Sequence, residues 1–270
     1  MQNYNFFSFW EPKDKVPPYI QLCMETWNKF LPDYEIVLLD YETLPKYLDI
    51  KELQLDKLKY FSLPKQSDVI RMHLLNKYGG IWLDADSIIM SEKFKNLVGK
   101  SLSSSDFVAI ETPTKYHPYT GIIFANKNNY VCTEYIKEAQ KRVSKFGKNK
   151  NKLILTKIFN KKSYKAYKNW DFLGNGIIDS IINNKPQEIY LPLQNSELNA
   201  FPETIHFNTL DRRKAYEEFY FNNTISFNFE NCAIIQLHNS WTPEKYLFMN
   251  KDDFLKCNNT LSNLLKELLK

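Results

Sequence analysis

The first ninety or so residues alternate between short apolar runs and longer segments of mixed polarity. Tyr4 to Trp10 ("YNFFSFW") reads as a strand. "PPYIQLCMETWNKF" reads as a helix that opens on proline, which suits the first helical turn. Glu35 to Asp40 ("EIVLLD") predicts a second strand, followed by a helical stretch around Tyr41 to Leu48. In "LPKQSDVIRMHLLNKYGG" the apolar Val69, Ile70, Leu74 and Leu75 recur at helical spacing. Pro64 lies near the start of this helix, and Gly79-Gly80 stops it. Ile81 to Leu83 and Ser87 to Met90 predict two short strands with Asp84 and Asp86 between them.

Further along, apolar runs at Phe107 to Ile110 and Ile122 to Ala125 precede a helix from about Tyr130 to Val143. A lysine-rich segment follows, with room for one or two helices. "GNGIIDSIIN" reads as a helix opening, and Ile234 to Leu237 as a buried strand. At the end, "LSNLLKELLK" sets Leu261, Leu264, Leu265, Leu268 and Leu269 on one helical stripe, expected to pack on the core. Strands alternating with helices predict an α/β protein with a mostly parallel central sheet and added helices. No repeat or low-complexity linker divides the 270 residues, so one domain is expected. Within it, 1–95 and 96–250 form two halves and 251–270 a C-terminal amphipathic helix.

Composition narrows the class. The chain is 43% hydrophobic and 25% charged, without an apolar run near the ~18–20 residues of a membrane span. Its start, "MQNYNFFSFWEPKDK", lacks the basic and small-residue features of a secretory signal. The four cysteines (Cys23, Cys132, Cys232, Cys257) are far apart and form no CxxC pair. Reduced thiols in a cytosol are expected, rather than a disulfide framework or a zinc site. Net charge is +5, yet residues 137–168 hold twelve Lys or Arg against one acid, Glu138, which leaves the remainder acidic. Phe146, Phe159, Tyr164 and Tyr167 are interleaved with those charges. Such a segment is a solvated face, or a surface for anionic membranes or phosphate backbones.

In a parallel sheet, ligands bind beyond the carboxyl ends of the strands. Asp84 and Asp86 fall there, at spacing i, i+2, so their carboxylates share a side. Two such groups repel unless a cation lies between them, and a hard divalent ion with open positions for phosphate oxygens answers that need. A lone Asp-x-Asp is more often an ordinary turn. The same stretch, "IWLDADSII", also resembles the first motif of haloacid-dehalogenase-like phosphatases, with Asp84 as nucleophile and Asp86 as acid/base. That motif normally sits on the first strand, whereas here about eighty residues precede it.

The wider context is more specific. "QSDVIRMHLLNKYGGIWLDADSIIM" resembles the core of the DXD glycosyltransferases grouped with capsular polysaccharide synthesis proteins and glycosyltransferase family 32. The catalytic domains of large clostridial glucosylating toxins are more distant relatives. "FFSFWEPKDKVPPYIQLCMETWNKFLPDYEIVLLD" is similar to the family's opening, and "AIIQLHNSWTP" to its closing element. The resemblance covers 1–95 and 233–243 and is weak between them.

It implies a GT-A-type, Rossmann-like fold and transfer of a sugar from a nucleotide sugar with Mn²⁺ or Mg²⁺. By the same resemblance Trp10 stacks on the base, and Asp68 and Arg71, a helical turn apart, contact the donor sugar. Asp84 holds ribose and a metal-bound water, and Asp86 the metal. His238 or Asn239 completes the metal shell, while Ser240 and Trp241 donate to phosphates. Gly121, Asn175 and Asp179 are weaker candidates for the sugar pocket. UDP is the expected nucleotide, and a hydroxyl of a glycan or lipid-linked saccharide the expected acceptor. Anomeric configuration is expected to be retained. The protein would then lie in the cytoplasm with peripheral contact to the membrane's inner face through 137–168, and without nucleic acid as partner.

Overall fold

The structure, a computed structural model, describes residues 4–111, 118–148, 157–158, 161–185, 200–207, 211–222, 224–226, 228–230 and 232–270. Its centre is a five-stranded sheet in the order β2-β1-β3-β6-β5. The strands are β1 (Phe6–Phe9), β2 (Ile36–Leu39), β3 (Gly80–Leu83), β5 (Phe107–Glu111) and β6 (Pro118–Ala125). β1 lies parallel to β2 and β3, and β6 runs antiparallel to both β3 and β5. Four of the five strands thus share one direction. This is the mostly parallel α/β sheet expected from the alternation.

The strands read as unbroken apolar runs because both faces of the sheet are covered. Phe6, Ile81, Leu83, Ile122 and Phe124 face one core, formed with Tyr19, Ile20 and Trp27 of the Pro18–Phe30 helix. Phe7, Phe9, Trp82, Ile123 and Ala125 face the other, formed with the Leu63–Tyr78, Tyr130–Phe146 and Asn175–Asn184 helices. Gly79 and Gly80 join the Leu63–Tyr78 helix to β3 with φ of +66° and +105°. A Cβ on Gly80 would run into the carbonyl oxygen of Asn5, so only glycine makes this corner.

A second sheet pairs β4 (Ser87–Ile89) with β7 (Ile234–Gln236), antiparallel. It ties Ser87 to Gln236 and Ile89 to Ile234, far apart along the chain, directly beyond Asp84 and Asp86. The C-terminal Thr260–Leu268 helix is capped by Asn259 and buries Leu261, Leu264 and Leu265 in the first core. At about 2 kcal/mol per buried leucine, that packing fixes the helix to the body of the protein.

Two expectations change. The helical stretch at Tyr41 to Leu48 is only a 3-10 turn at Leu44–Lys46, because the Asp40 side chain accepts bonds from the backbone N–H and hydroxyl of Thr43 and folds the chain back. β6 begins four residues earlier than expected, at Pro118, past an irregularity in its pairing with β5. The expected basic helices are represented by Lys161–Lys168, while 149–156 and 159–160, including Phe159, lie outside the described residues.

Candidate functional site

A cavity of about 370 Å³ opens at the carboxyl ends of β1 and β3. Phe9, Trp10 and Glu11 form one wall and Leu63, Pro64, Ser67 and Arg71 another. Asp84, Ala85, Asp86 and Asn239 form the floor. Trp10, half-buried, continues β1 by donating its backbone N–H to Leu39 O at 2.9 Å.

Arg71 braces the floor. Its guanidinium is buried and pairs with Asp68 and Asp84, each at 3.3 Å. It also donates to Ser67 Oγ and to the Thr120 carbonyl on β6, and lies 4.9 Å from the Trp82 ring. Burial opposes its charge, but Asp84 and Asp68 more than restore it, so it holds its proton more firmly than a free arginine. Burial pushes the Asp68 carboxyl up to about 6 against the pull of Arg71.

The turn between β3 and β4 is closed by the Ser87 N–H donating to the Asp84 carbonyl, while the Asp84 N–H donates to Gly121 O. Asp84 Oδ1 also accepts the Trp82 indole N–H at 2.9 Å. A Cβ on Gly121 would run into the Tyr119 ring and lie 2.7 Å from Asp84 Oδ2, so the absent side chain makes room for both. Asp86 is held from the opposite end of the sequence. Its Oδ1 accepts from Gln236 Nε2 at 2.7 Å and its Oδ2 from the Asn239 N–H at 2.8 Å. Burial, then the nearby Asp84 charge, pushes the Asp86 carboxyl up to about 7 despite those bonds. Burial and the Asp84 charge thus favour the protonated form of Asp86, a preference that a bound cation would reverse.

Asn239, Ser240 and Trp241 form one 3-10 turn after β7. The structure brings Asn239 to Asp86 through its backbone, with its side-chain oxygen accepting from Tyr19 Oη at 2.6 Å. Ser240 is exposed and Trp241 half-buried. His238 goes elsewhere. Its ring stacks on Phe201 at 5.9 Å, meets Trp241 at 4.1 Å, and its Nε2 lies 3.3 Å from Arg212. Burial, then Arg212, pushes it down to about 3, so it is neutral and turned to a cation. Asn175 opens the Asn175–Asn184 helix with Asp179 a turn further on, and neither lines the cavity; Gly174 before them approaches Asp68, where a Cβ would lie 2.7 Å from Oδ2.

Several contributors escaped sequence reasoning. Gln236 is a polar residue inside the apolar run "AIIQL", which was the available signal. Thr120 and Tyr119 sit beside Gly121 on the part of β6 that precedes the apolar run Ile122 to Ala125. The Tyr119 phenol is pushed well above its usual range by burial and by Asp84 and Asp86. Arg212, inside "DRRK", carries no signal that separates it from a solvated charge run.

Fold and cavity together define an α/β protein with an arginine-braced acidic pair at its strand ends. The chain belongs to the family of capsular polysaccharide synthesis proteins, whose model matches residues 1–187. No curated protein matches the chain. Among solved structures it is similar to PaToxG glycosyltransferase, at 15% identity and TM-score 0.42, covering 80% of this chain and 77% of that one. It is also similar to the UDP-bound glycosyltransferase domain of the YGT toxin, at 9% identity and TM-score 0.47, covering 99% of both.

Proposed function

We propose that the protein is a metal-dependent glycosyltransferase that moves a hexose from a UDP-sugar to a hydroxyl of a glycan or lipid-linked oligosaccharide in surface polysaccharide synthesis. The observation that carries this reading is the Asp84–Asp86 pair at the strand ends, with Arg71 on one carboxylate and two neutral donors, Gln236 Nε2 and the Asn239 N–H, on the other. Family membership supports the setting.

The residues fit a hard divalent ion. The described residues hold no group of three or more His, Cys, Asp or Glu side chains suited to a metal. One or two carboxylates completed by substrate phosphates is the arrangement Mg²⁺ or Mn²⁺ favours. Asp86 would hold the ion, Asp84 would reach it through water, and Asn239 is the better placed of the two further candidates because His238 faces Arg212. When bound, the ion would neutralise charge on the departing diphosphate.

The chain's own groups do the rest. Trp10 offers a face for the base, and Ser240 and the Trp241 indole offer donors to the phosphates. Arg71, fixed by Asp68, Asp84 and Thr120, presents a rigid fork toward sugar or phosphate oxygens. Retention follows from same-face attack of the acceptor hydroxyl, its proton passing to the leaving phosphate. In the phosphatase reading a lysine should stand by Asp84. Arg71 stands there instead, and that reading is not kept.

The deciding experiment is calorimetric titration of UDP and GDP with and without Mn²⁺, on wild type and Asp86→Asn. UDP binding that needs Mn²⁺ and is lost in the variant is expected. A folded protein that binds neither nucleotide would overturn the reading.

A further inference from the structure

A second groove, of about 520 Å³, runs along the outer side of the Tyr130–Phe146 helix. Lys141, Arg142 and Lys145 line it from the helix, and Asn169 and Asp171 from the turn opposite. Trp170, between those two, is 66% exposed and stands at the rim. The turn beneath it is firmly built. Phe172 is buried against Phe146 at 5.3 Å, and its carbonyl accepts from Arg142 at 2.6 Å. The indole is thus held outward by packed neighbours.

Lys165 and Lys168 are exposed on the adjoining Lys161–Lys168 helix. Glu138 is already paired with Arg142 at 2.8 Å, and the 137–168 window as a whole is strongly basic. An exposed indole framed by lysines matches the headgroup layer of a bilayer, where the ring lies at the interface and ammonium groups reach lipid phosphates. Single-stranded nucleic acid asks instead for several exposed rings in succession. Here Phe146 stacks on Tyr167 and Phe172 meets both edge-on, so these rings are spent on one another.

We propose that this face docks the protein on an anionic phospholipid surface, with Trp170 at headgroup depth and the surrounding lysines on the phosphates. Among the described residues no helix is long and apolar enough to cross a membrane, so the contact is peripheral. The same turn packs against the Leu63–Tyr78 helix, which lines the first cavity through Leu63, Pro64, Ser67 and Arg71. Tyr167 O accepts from Lys65 Nζ at 2.9 Å, and Gly174 abuts Asp68. On the transferase reading, on which this purpose rests, docking would bring a lipid-linked acceptor beside the donor.

The test is co-sedimentation with phosphatidylcholine vesicles, with and without about 30% phosphatidylglycerol. Binding only to the anionic vesicles is expected, falling at least about tenfold as NaCl rises from about 0.05 to about 0.5 M. Trp170→Ala should weaken it several-fold, and Lys141→Glu with Lys145→Glu and Lys168→Glu should abolish it, with thermal melting unchanged. Two results would overturn the proposal: a folded wild type that ignores anionic vesicles, or variants that bind as wild type does. So would equal affinity for single-stranded RNA with the same Trp170 dependence, which would reassign the face. Vesicle binding needs no nucleotide, so it stands or falls apart from UDP binding.

Discussion

The two concavities of this protein are built on opposite principles. The first lies at the ends of parallel strands, and its acids are fixed by backbone topology: Asp84 by β3 and β6, Asp86 by β4 and β7. The second lies on helix surfaces, and its bases are long side chains over an aromatic bed. In the first, position is fixed to the ångström and single atoms matter. In the second, the sum of charges matters and no one lysine is essential. Chemistry that breaks bonds belongs to the former kind of site and adhesion to the latter.

That contrast sets the order of expected effects. Asp86→Asn keeps the bond from Asn239 but loses the charge, and should lower turnover by about 10³-fold or more with thermal stability preserved. Unchanged turnover would remove the acidic floor from the chemistry. Arg71→Lys cannot serve Asp68, Asp84 and Thr120 at once, and should cost about 10²-fold in kcat/KM, with a smaller loss in UDP affinity measured by calorimetry. Equal losses in both would make Arg71 a nucleotide or folding residue. Gly121→Ala pushes against the Tyr119 ring and Asp84 Oδ2 and should weaken UDP binding about tenfold, at a stability cost of about 1–3 kcal/mol.

Acid sensitivity should trace to the first region too. His73, on the Leu63–Tyr78 helix, is buried with no hydrogen-bond partner at Nε2, and burial pushes it down to about 4. Between its unfolded value of about 6.5 and that value the unfolded chain takes a proton that the folded one refuses. Its contribution to stability is therefore present above pH ~6.5 and lost as pH falls toward 4, on the order of 3 kcal/mol in all. Denaturant titrations of wild type and His73→Leu across that window should converge in slope at neutral pH and diverge in acid. The smallest effect belongs to the second region: Lys141→Glu with Lys145→Glu should change UDP affinity by less than about twofold.

The same contrast explains what could be read in advance. The sheet was legible because strands buried on both faces leave continuous apolar runs, and the Leu63–Tyr78 helix because its proline and glycine punctuation is strong. Asp84, Asp86, Asp68, Arg71, Trp10 and Asn239 were singled out through a resemblance; the fold sets five of them on one cavity and Asp68 behind it, paired with Arg71. Thr120, Tyr119 and Gln236 were not, because a strand that pairs through an irregularity, or a polar residue facing an end rather than a face, breaks the period that reveals it. His238 looked like a ligand in the sequence. Its ring is governed by Phe201, Trp241 and Arg212, which are distant along the chain and close only after folding.

One consequence concerns order of manufacture. All five strands of the central sheet lie before residue 126, but the hydrogen bonds that complete Asp86 come from residues 236 and 239. On the ribosome all five strands exist while more than half of the polypeptide is still unmade, and the helices that cover them follow, up to Thr260–Leu268. Its acidic centre stays half-finished until β7 arrives to pair with β4. Shape and chemistry are therefore both completed late, since β7 and the Thr260–Leu268 helix come in the last quarter of translation.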